Sequence, residues 1–339
     1  MAQLVPILAV LCAAAAGVAR AAVPLPAEPT SHEDVVRTTH DSVAKARPEG
    51  DAPVAFDVKA GTDLDWVVKA KKHGYYRVIR RDRGPQGWIP EGDLKIVRRR
   101  NPKNPADVEA CSASLDACPA RGCDEEGSDE AVANAMKRVA PTSPDAKFLT
   151  FQDLDSLQRQ ADERVGQGPN DSTREQHAAL RDLSYSGGTV SEGDRVRIVA
   201  FIPKGSDGLH PNMDGESVNC NLKVEKDNDF HIPVVEAPAD TEFRGIVAEM
   251  IPQGRPRNWT IDALKGIQAK SRQVWVEGAL FYDKVHFVIT DADTAPDGEP
   301  QRMSLWEIHP ITKFLECTKD RCDPQRESDW SELQLNQKG

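Results

Sequence analysis

Between Val36 and Val97, apolar and polar residues alternate in short runs. Val54-Ala-Phe-Asp-Val58 alternates residue by residue, Trp66-Val-Val68 is an apolar strand core, and Tyr75-Tyr-Arg-Val-Ile79 and Trp88-Ile89 follow it. Turn signals separate these runs at Gly61-Thr62-Asp63, at His73-Gly74 and over Arg83-Gly-Pro-Gln-Gly87. Period-two patterning broken by frequent turns predicts a small closed or sandwiched β unit.

The middle of the chain changes period. Leu154, Leu157, Ala161 and Val165 recur at helical spacing over residues 150–166, with Thr150 as N-cap and Asp153 three residues on in a capping-box pattern. A second helix is expected over Ser172–Leu183, stopped by Gly187-Gly188, and a short one near Glu130–Val139. From Arg195 the pattern returns to strands: Val196–Ile202; a broken second strand, Ser217–Val224 with Asp229–Val235; a third over Phe243–Ile251; a fourth over Gln273–Tyr282; and a fifth from Met303–His309 towards Glu316. Thr260 caps a helix over Ile261–Lys270, between the third and fourth strands. The order β-β-β-α-β-β resembles an OB-fold barrel, by element order alone and without an OB sequence signature.

The first unit carries a more specific resemblance. Tyr75-Tyr-Arg-Val, a short polar turn, then Gly87-Trp88-Ile89-Pro90 and Asp93-Leu94 resemble the end of a bacterial SH3-like (SH3b) domain over roughly 60 residues. The resemblance implies a small β-barrel of the kind attached to envelope proteins, some of which bind cell-wall peptides. Trp66, Tyr75, Tyr76 and Trp88 are the aromatic candidates for such a ligand, with core packing as their competing role. The expected fold class is therefore mainly β: an SH3-like small barrel over 36–98, a helical, cysteine-bearing connector over 99–190, an OB-like five-stranded barrel over 191–317, and a tail over 318–339.

The amino terminus points to export. The apolar run Leu4–Val18 is too short to span a bilayer, and Ala19-Arg20-Ala21 offers a small-x-small cleavage pattern, so 1–21 reads as a signal peptide and the Pro-rich 22–35 as a tether. No later segment is apolar enough to cross a membrane, which gives a secreted or periplasmic protein without a transmembrane segment in its mature chain. Six cysteines then remain, Cys111, Cys118, Cys123, Cys220, Cys317 and Cys322. An even number in an exported chain points to disulfides, with Cys317–Cys322 and a pair among Cys111, Cys118 and Cys123 able to close short loops; the connectivity stays open.

Charge divides the chain. Residues 36–103 hold 16 basic and 9 acidic side chains, whereas residues 104–339 hold 26 and 42 within a total of −11. Over 195–317 the count is 14 basic against 19 acidic, which argues against nucleic acid as a partner, because the phosphate contribution to affinity would be absent or reversed.

Candidate chemistry sits in the second barrel. Side chains two apart on a strand share a face, so Asp229 and His231 point together, as do Glu307 and His309. With the strand order 1-2-3-5-4, the second, third and fifth strands adjoin, and Glu249 joins the four within ~10 Å, given ~4.8 Å between strands. His286 follows the fourth strand and is placed to approach from a loop. Imidazole with carboxylate suits a divalent metal or general acid–base hydrolysis; the competing role is hydrogen-bond pinning of loops. No G-x-S-x-G elbow, P-loop or G-x-G-x-x-G occurs, so no catalytic nucleophile and no cofactor beyond a divalent metal is indicated. The sequence favours an exported bacterial envelope adaptor without catalysis, whose SH3-like domain contacts a wall or peptide ligand; the alternative is a metal-dependent, phosphodiesterase-like hydrolase built on the Asp/His/Glu cluster.

Overall fold

A computed structural model describes residues 34–80, 86–98, 109–166, 172–206, 208–212, 215–286, 288–290 and 301–333. The expected signal peptide and most of the tether lie outside these residues, as does the Arg83–Gly87 turn up to Pro85. Asp34 and Val35, assigned to the tether, already belong to the first strand.

Seven strands build the first unit: β1 (Asp34–Thr38), β2 (Ser42–Lys45), β3 (Val54–Val58), β4 (Asp63–Lys72), β5 (Tyr75–Arg80), β6 (Gln86–Pro90) and β7 (Leu94–Arg98). They pair antiparallel in the order β3-β2-β6-β5-β4-β1-β7. The alternating positions read from the sequence supply one small core, in which Val36, Ala44, Phe56, Val58, Leu64, Val78 and Ile89 meet.

A cysteine-bearing segment follows. Cys111–Cys123 and Cys118–Cys220 are disulfide-bonded, and α1 (Asp129–Lys137) starts at Ser128, whose hydroxyl accepts from the Ala131 amide. β8 (Lys147–Phe148) leads into α2 (Phe151–Val165). Thr150 caps α2 as expected: its hydroxyl accepts from Asp153 N at 3.1 Å, and Asp153 Oδ2 accepts from Thr150 N at 2.9 Å. The second helix is shorter than expected, α3 (Arg174–Ala179), because Asp182 takes a left-handed φ of 51° and turns the chain into a hairpin of β9 (Leu183–Tyr185) and β10 (Gly188–Val190). Gly187-Gly188 therefore lies in a hairpin turn, where helix termination was expected.

The second unit adds β11 (Arg195–Phe201), β12 (His210–Pro211), β13 (Phe230–Val235), β14 (Gly245–Met250), α4 (Ile261–Lys270), β15 (Gln273–Tyr282), β16 (Trp306–Cys317) and β17 (Trp330–Glu332). β13, β14, β16, β15 and β11 pair in that order, and β11 pairs back with β13 at Phe201–Val235, closing a five-stranded barrel. The β14–β16 pair is parallel, at Ala248–Ile308. The strands expected second, third and fifth are thus neighbours, and the chain is mainly β.

Two expected boundaries move. α2 is no spacer: Leu154, Leu157, Ala161 and Val165 pack in the barrel's own core, and β8 pairs parallel with β11. At the other end, β17 pairs with β16 and Trp330 sits edge-on to Trp275 at 5.7 Å, so 318–333 belongs to this unit. Apolar surface drives both changes, since the stripe on α2 and the Trp330 indole remove themselves from water only against the barrel. Ser217–Val224 is not a strand; it folds as a 3₁₀ turn over Ser217–Asn219 that ends at the Cys118–Cys220 disulfide.

Alternation assigns the barrel's two faces. Phe230, Ile232 and Val234, Ile246, Ala248 and Met250, and Trp306 and Ile308 point into the core. Their neighbours Asp229, His231, Glu249, Glu307 and His309 therefore face outward, and all but half-buried His231 are fully buried there. The covering comes from α1 and the disulfide-tied segment: Lys137 of α1 reaches Asp283 at 3.0 Å, and Cys123 N donates to Ser217 O at 3.1 Å.

Candidate metal centre

The backbone sets the cluster's spacing. His231 and Glu249 are directly paired across β13 and β14, and the Ala248–Ile308 pairing brings Glu249 beside Glu307 and His309. On β15 the register slips opposite Pro310, where a Cβ on Gly278 would lie 2.1 Å from the Pro310 carbonyl oxygen. Only glycine permits that close approach, and the irregularity lies beside His309, as bulges commonly do next to functional groups.

All five side chains singled out from the sequence converge. His309 Nδ1 lies 3.3 Å from Glu249 Oε2 and 3.7 Å from Glu307 Oε2, while its Nε2 lies 3.7 Å from Asp229 Oδ2. His231 Nε2 lies 3.5 Å from Glu249 Oε2 and 3.5 Å from Glu216 Oε1. These are ion-pair separations, longer than hydrogen bonds. Asp229 and Glu307 are 0% exposed and His309 1%. Both oxygens of Asp229, both nitrogens of His309, Nε2 of His231 and Oε2 of Glu307 have no hydrogen-bond partner among the described residues. Buried polar atoms are almost always satisfied, and six in one place require an explanation.

Within the cluster, Glu216, His231 and Glu249 can offer ligand atoms within 4.8 Å of one another, and so can Asp229, Glu249 and His309. Glu307 falls outside both triads. Arg302 Nη1 donates to its Oε1, and its other oxygen faces His309, the arrangement by which a carboxylate orients a ligating imidazole. A third triad, Cys111, Cys123 and Cys220, is consumed by disulfides.

Three participants were not anticipated. Glu216 stands at the edge of the cluster with its side chain 27% exposed. Lys137 is half-buried against Asp283 and over the Phe281 ring at 5.4 Å, and Arg302 is 1% exposed. His286 approaches Asp283 at 3.9 Å and belongs to that pair.

Burial and crowding shift the groups strongly. Burial pushes Glu249 up to about 7, aided by Glu307 and Glu216 and opposed by the two imidazoles. Burial and the Glu216 charge raise Asp229. Burial disfavours the charged rings of His231 and His309, yet the surrounding carboxylates, led by Glu249, outweigh it; His231 rises to about 10 and His309 also rises. Glu216 is held at about 2 against its burial, chiefly by His231. Lys137 and Arg302 are each tied to one carboxylate, while His231 and His309 stand at ion-pair distance from Glu216, Asp229 and Glu249. The donor set, two imidazoles with hard carboxylate oxygens, is that of a first-row divalent ion.

The aromatic candidates of the first unit divide. Trp88 is 2% exposed and Tyr76 8%, so both are packing groups whose ring faces are closed to a ligand. Tyr76 stacks edge-on to Trp66 at 4.4 Å and donates its hydroxyl to Glu91 at 3.0 Å. Trp66 and Tyr75 are half-buried. All six cysteines form disulfides, the third being Cys317–Cys322, and among the described residues no helix is long and apolar enough to cross a membrane.

No protein-family model matches the chain, and neither does any curated protein. Among solved structures, NlpC2 and NlpC1 from Trichomonas vaginalis are each 14% identical over 66% of this chain, covering 68% and 65% of theirs, with a TM-score of 0.17. That score is too low to support an argument about fold or activity.

Proposed function

We propose that the protein is an exported metal-dependent hydrolase of the phosphodiesterase class, with its metal centre on the outer face of the second barrel. The observation that carries this reading is the meeting of Asp229, Glu249 and His309 from three adjoining segments, with their ligand atoms mutually within 4.8 Å and those of Asp229 and His309 unpartnered. A divalent ion held there supplies an activated water. Glu307, fixed by Arg302, is a positioning residue for His309. Glu216 and His231, with side chains 27% and 16% exposed, are the partly exposed edge of the cluster.

Export is supported by the three disulfides and by the signal-like amino terminus. An OB-like assignment for the second barrel is supported by its strand order, its parallel β14–β16 pair and α4 between the third and fourth barrel strands. The SH3-like assignment rests on the β5–β6 hairpin that carries Tyr75-Tyr-Arg-Val and Gly87-Trp-Ile.

The test is elemental analysis of protein purified without chelator, with hydrolysis of bis(p-nitrophenyl) phosphate under added manganese or zinc. Retained metal, with activity abolished in His309→Ala, is expected. A metal-free, inactive protein that binds neither ion would sink the hydrolase. The second reading would then stand, an envelope adaptor whose half-buried Trp66 and Tyr75 contact a wall or peptide ligand, checked by co-sedimentation with peptidoglycan.

A further inference from the structure

The two triads share one residue, and that sharing carries a conclusion about the number of ions. Glu216, His231 and Glu249 form the outer set; Asp229, Glu249 and His309 form the inner one. They close separately, each within 4.8 Å, and not as one five-residue set. An ion held by Asp229 and His309 leaves His231 and Glu216 outside its set, because the two triads have only Glu249 in common. Both imidazoles approach the same atom, Glu249 Oε2, from different strands, His231 Nε2 at 3.5 Å and His309 Nδ1 at 3.3 Å. A carboxylate flanked in this way is placed as a bridge. Buried atoms without a hydrogen bond stand on both sides of it, both Asp229 oxygens within and His231 Nε2 at the edge.

Resting on the hydrolase reading above, we infer that the centre is dinuclear: two divalent ions bridged by Glu249, one held with Asp229 and His309 and the other with His231 and Glu216. Ions so bridged fall ~3.5–4 Å apart, the spacing at which both the attacking and the leaving oxygen of a phosphoryl group can be contacted. The outer ion depends on the disulfide-tied segment, because Glu216 directly precedes the Ser217–Asn219 turn ending at Cys220.

The experiment titrates the chelator-treated full chain with manganese(II), following bound metal by elemental analysis and coupling by electron paramagnetic resonance. Wild type is expected to take two ions per chain and to show an exchange-coupled spectrum at two equivalents. Glu216→Gln is expected to take one, with the uncoupled six-line spectrum, inner affinity within about threefold of wild type and a folded far-ultraviolet circular-dichroism spectrum in chelator. One ion in wild type, unaffected by Glu216→Gln, overturns the dinuclear centre and leaves a mononuclear hydrolase standing. Two ions without coupling overturn the Glu249 bridge, two ions in Glu216→Gln overturn the role of Glu216, and loss of both ions in that variant overturns the separate sites. No ion in wild type removes the metal reading itself.

Discussion

Replacing Asp229 by Asn separates a metal ligand from a structural aspartate, because the two roles predict opposite signs. Asp229 is fully buried, neither of its oxygens has a hydrogen-bond partner among the described residues, and His309 Nε2 is 3.7 Å away. Burial and the Glu216 charge already raise its carboxyl, so ionisation is unfavourable at this position. Asn keeps the shape and removes the charge. A buried unsatisfied polar group costs about 1–3 kcal/mol, and more when it is charged. Exchanging the carboxylate for an amide should therefore recover about 1–2 kcal/mol in metal-free protein. For a cooperative unit of 150–250 residues, 1 kcal/mol moves Tm by about 2–4 °C, so the variant should melt about 2–8 °C higher in chelator. Metal reverses the order: at a concentration 100 times Kd, each occupied site adds about 2.7 kcal/mol to wild type, and the inner site is lost in the variant. Melting followed by circular dichroism, with chelator and with manganese, reads both halves. A variant that melts lower than wild type in chelator would mean that Asp229 holds a loop by a hydrogen bond, and the argument from unpartnered atoms would fail.

The buried pair beneath α1 gives a second prediction. Lys137→Met leaves Asp283 in the interior without its cation, which costs about 3–5 kcal/mol by urea denaturation at neutral pH. Lys137 holds the Asp283 carboxyl well below the usual range despite burial. The pair's stabilisation is thus present above an unfolded pKa of about 4 and fades as pH falls towards the folded value; the variant should show a flatter acid limb below about pH 4. Cys118→Ser with Cys220→Ser opens a crosslink spanning 102 residues, against 5 for Cys317–Cys322. Chain entropy sets these losses at about 4.7 and about 2 kcal/mol, so denaturation midpoints should fall further for the first pair. Trp88→Ala should cost about 3–5 kcal/mol through a cavity in the first unit and leave bound metal per chain unchanged, as elemental analysis would read.

What the sequence disclosed about this centre, and what it concealed, follow from one physical distinction. Asp229, His231, Glu249, Glu307 and His309 were readable because each sits on or beside a strand, where period two assigns a face and the order of elements assigns neighbours. Glu216, Lys137 and Arg302 have no such regularity. They arrive from a disulfide-tied turn, a helix end and a loop, and their nearness to the strands is a tertiary fact without a local pattern. The same limit explains the misread Ser217–Val224. Its Val218, Cys220, Leu222 and Val224 alternate as a strand would, yet Cys220 and Asn221 take left-handed φ values of 54° and 56° and the disulfide fixes the reversal. Asn tolerates that conformation better than most residues, so Asn221 inside an alternating run was the one local warning. The boundaries at α2 and Trp330 were missed for a related reason, since an amphipathic helix or a tail tryptophan announces that it will be buried without saying against what. The groups invisible to periodicity are those that supply the cluster's outer carboxylate and its balancing cations. A strand pattern therefore locates a centre of this kind, and its charge and number of ions depend on the irregular segments laid over it.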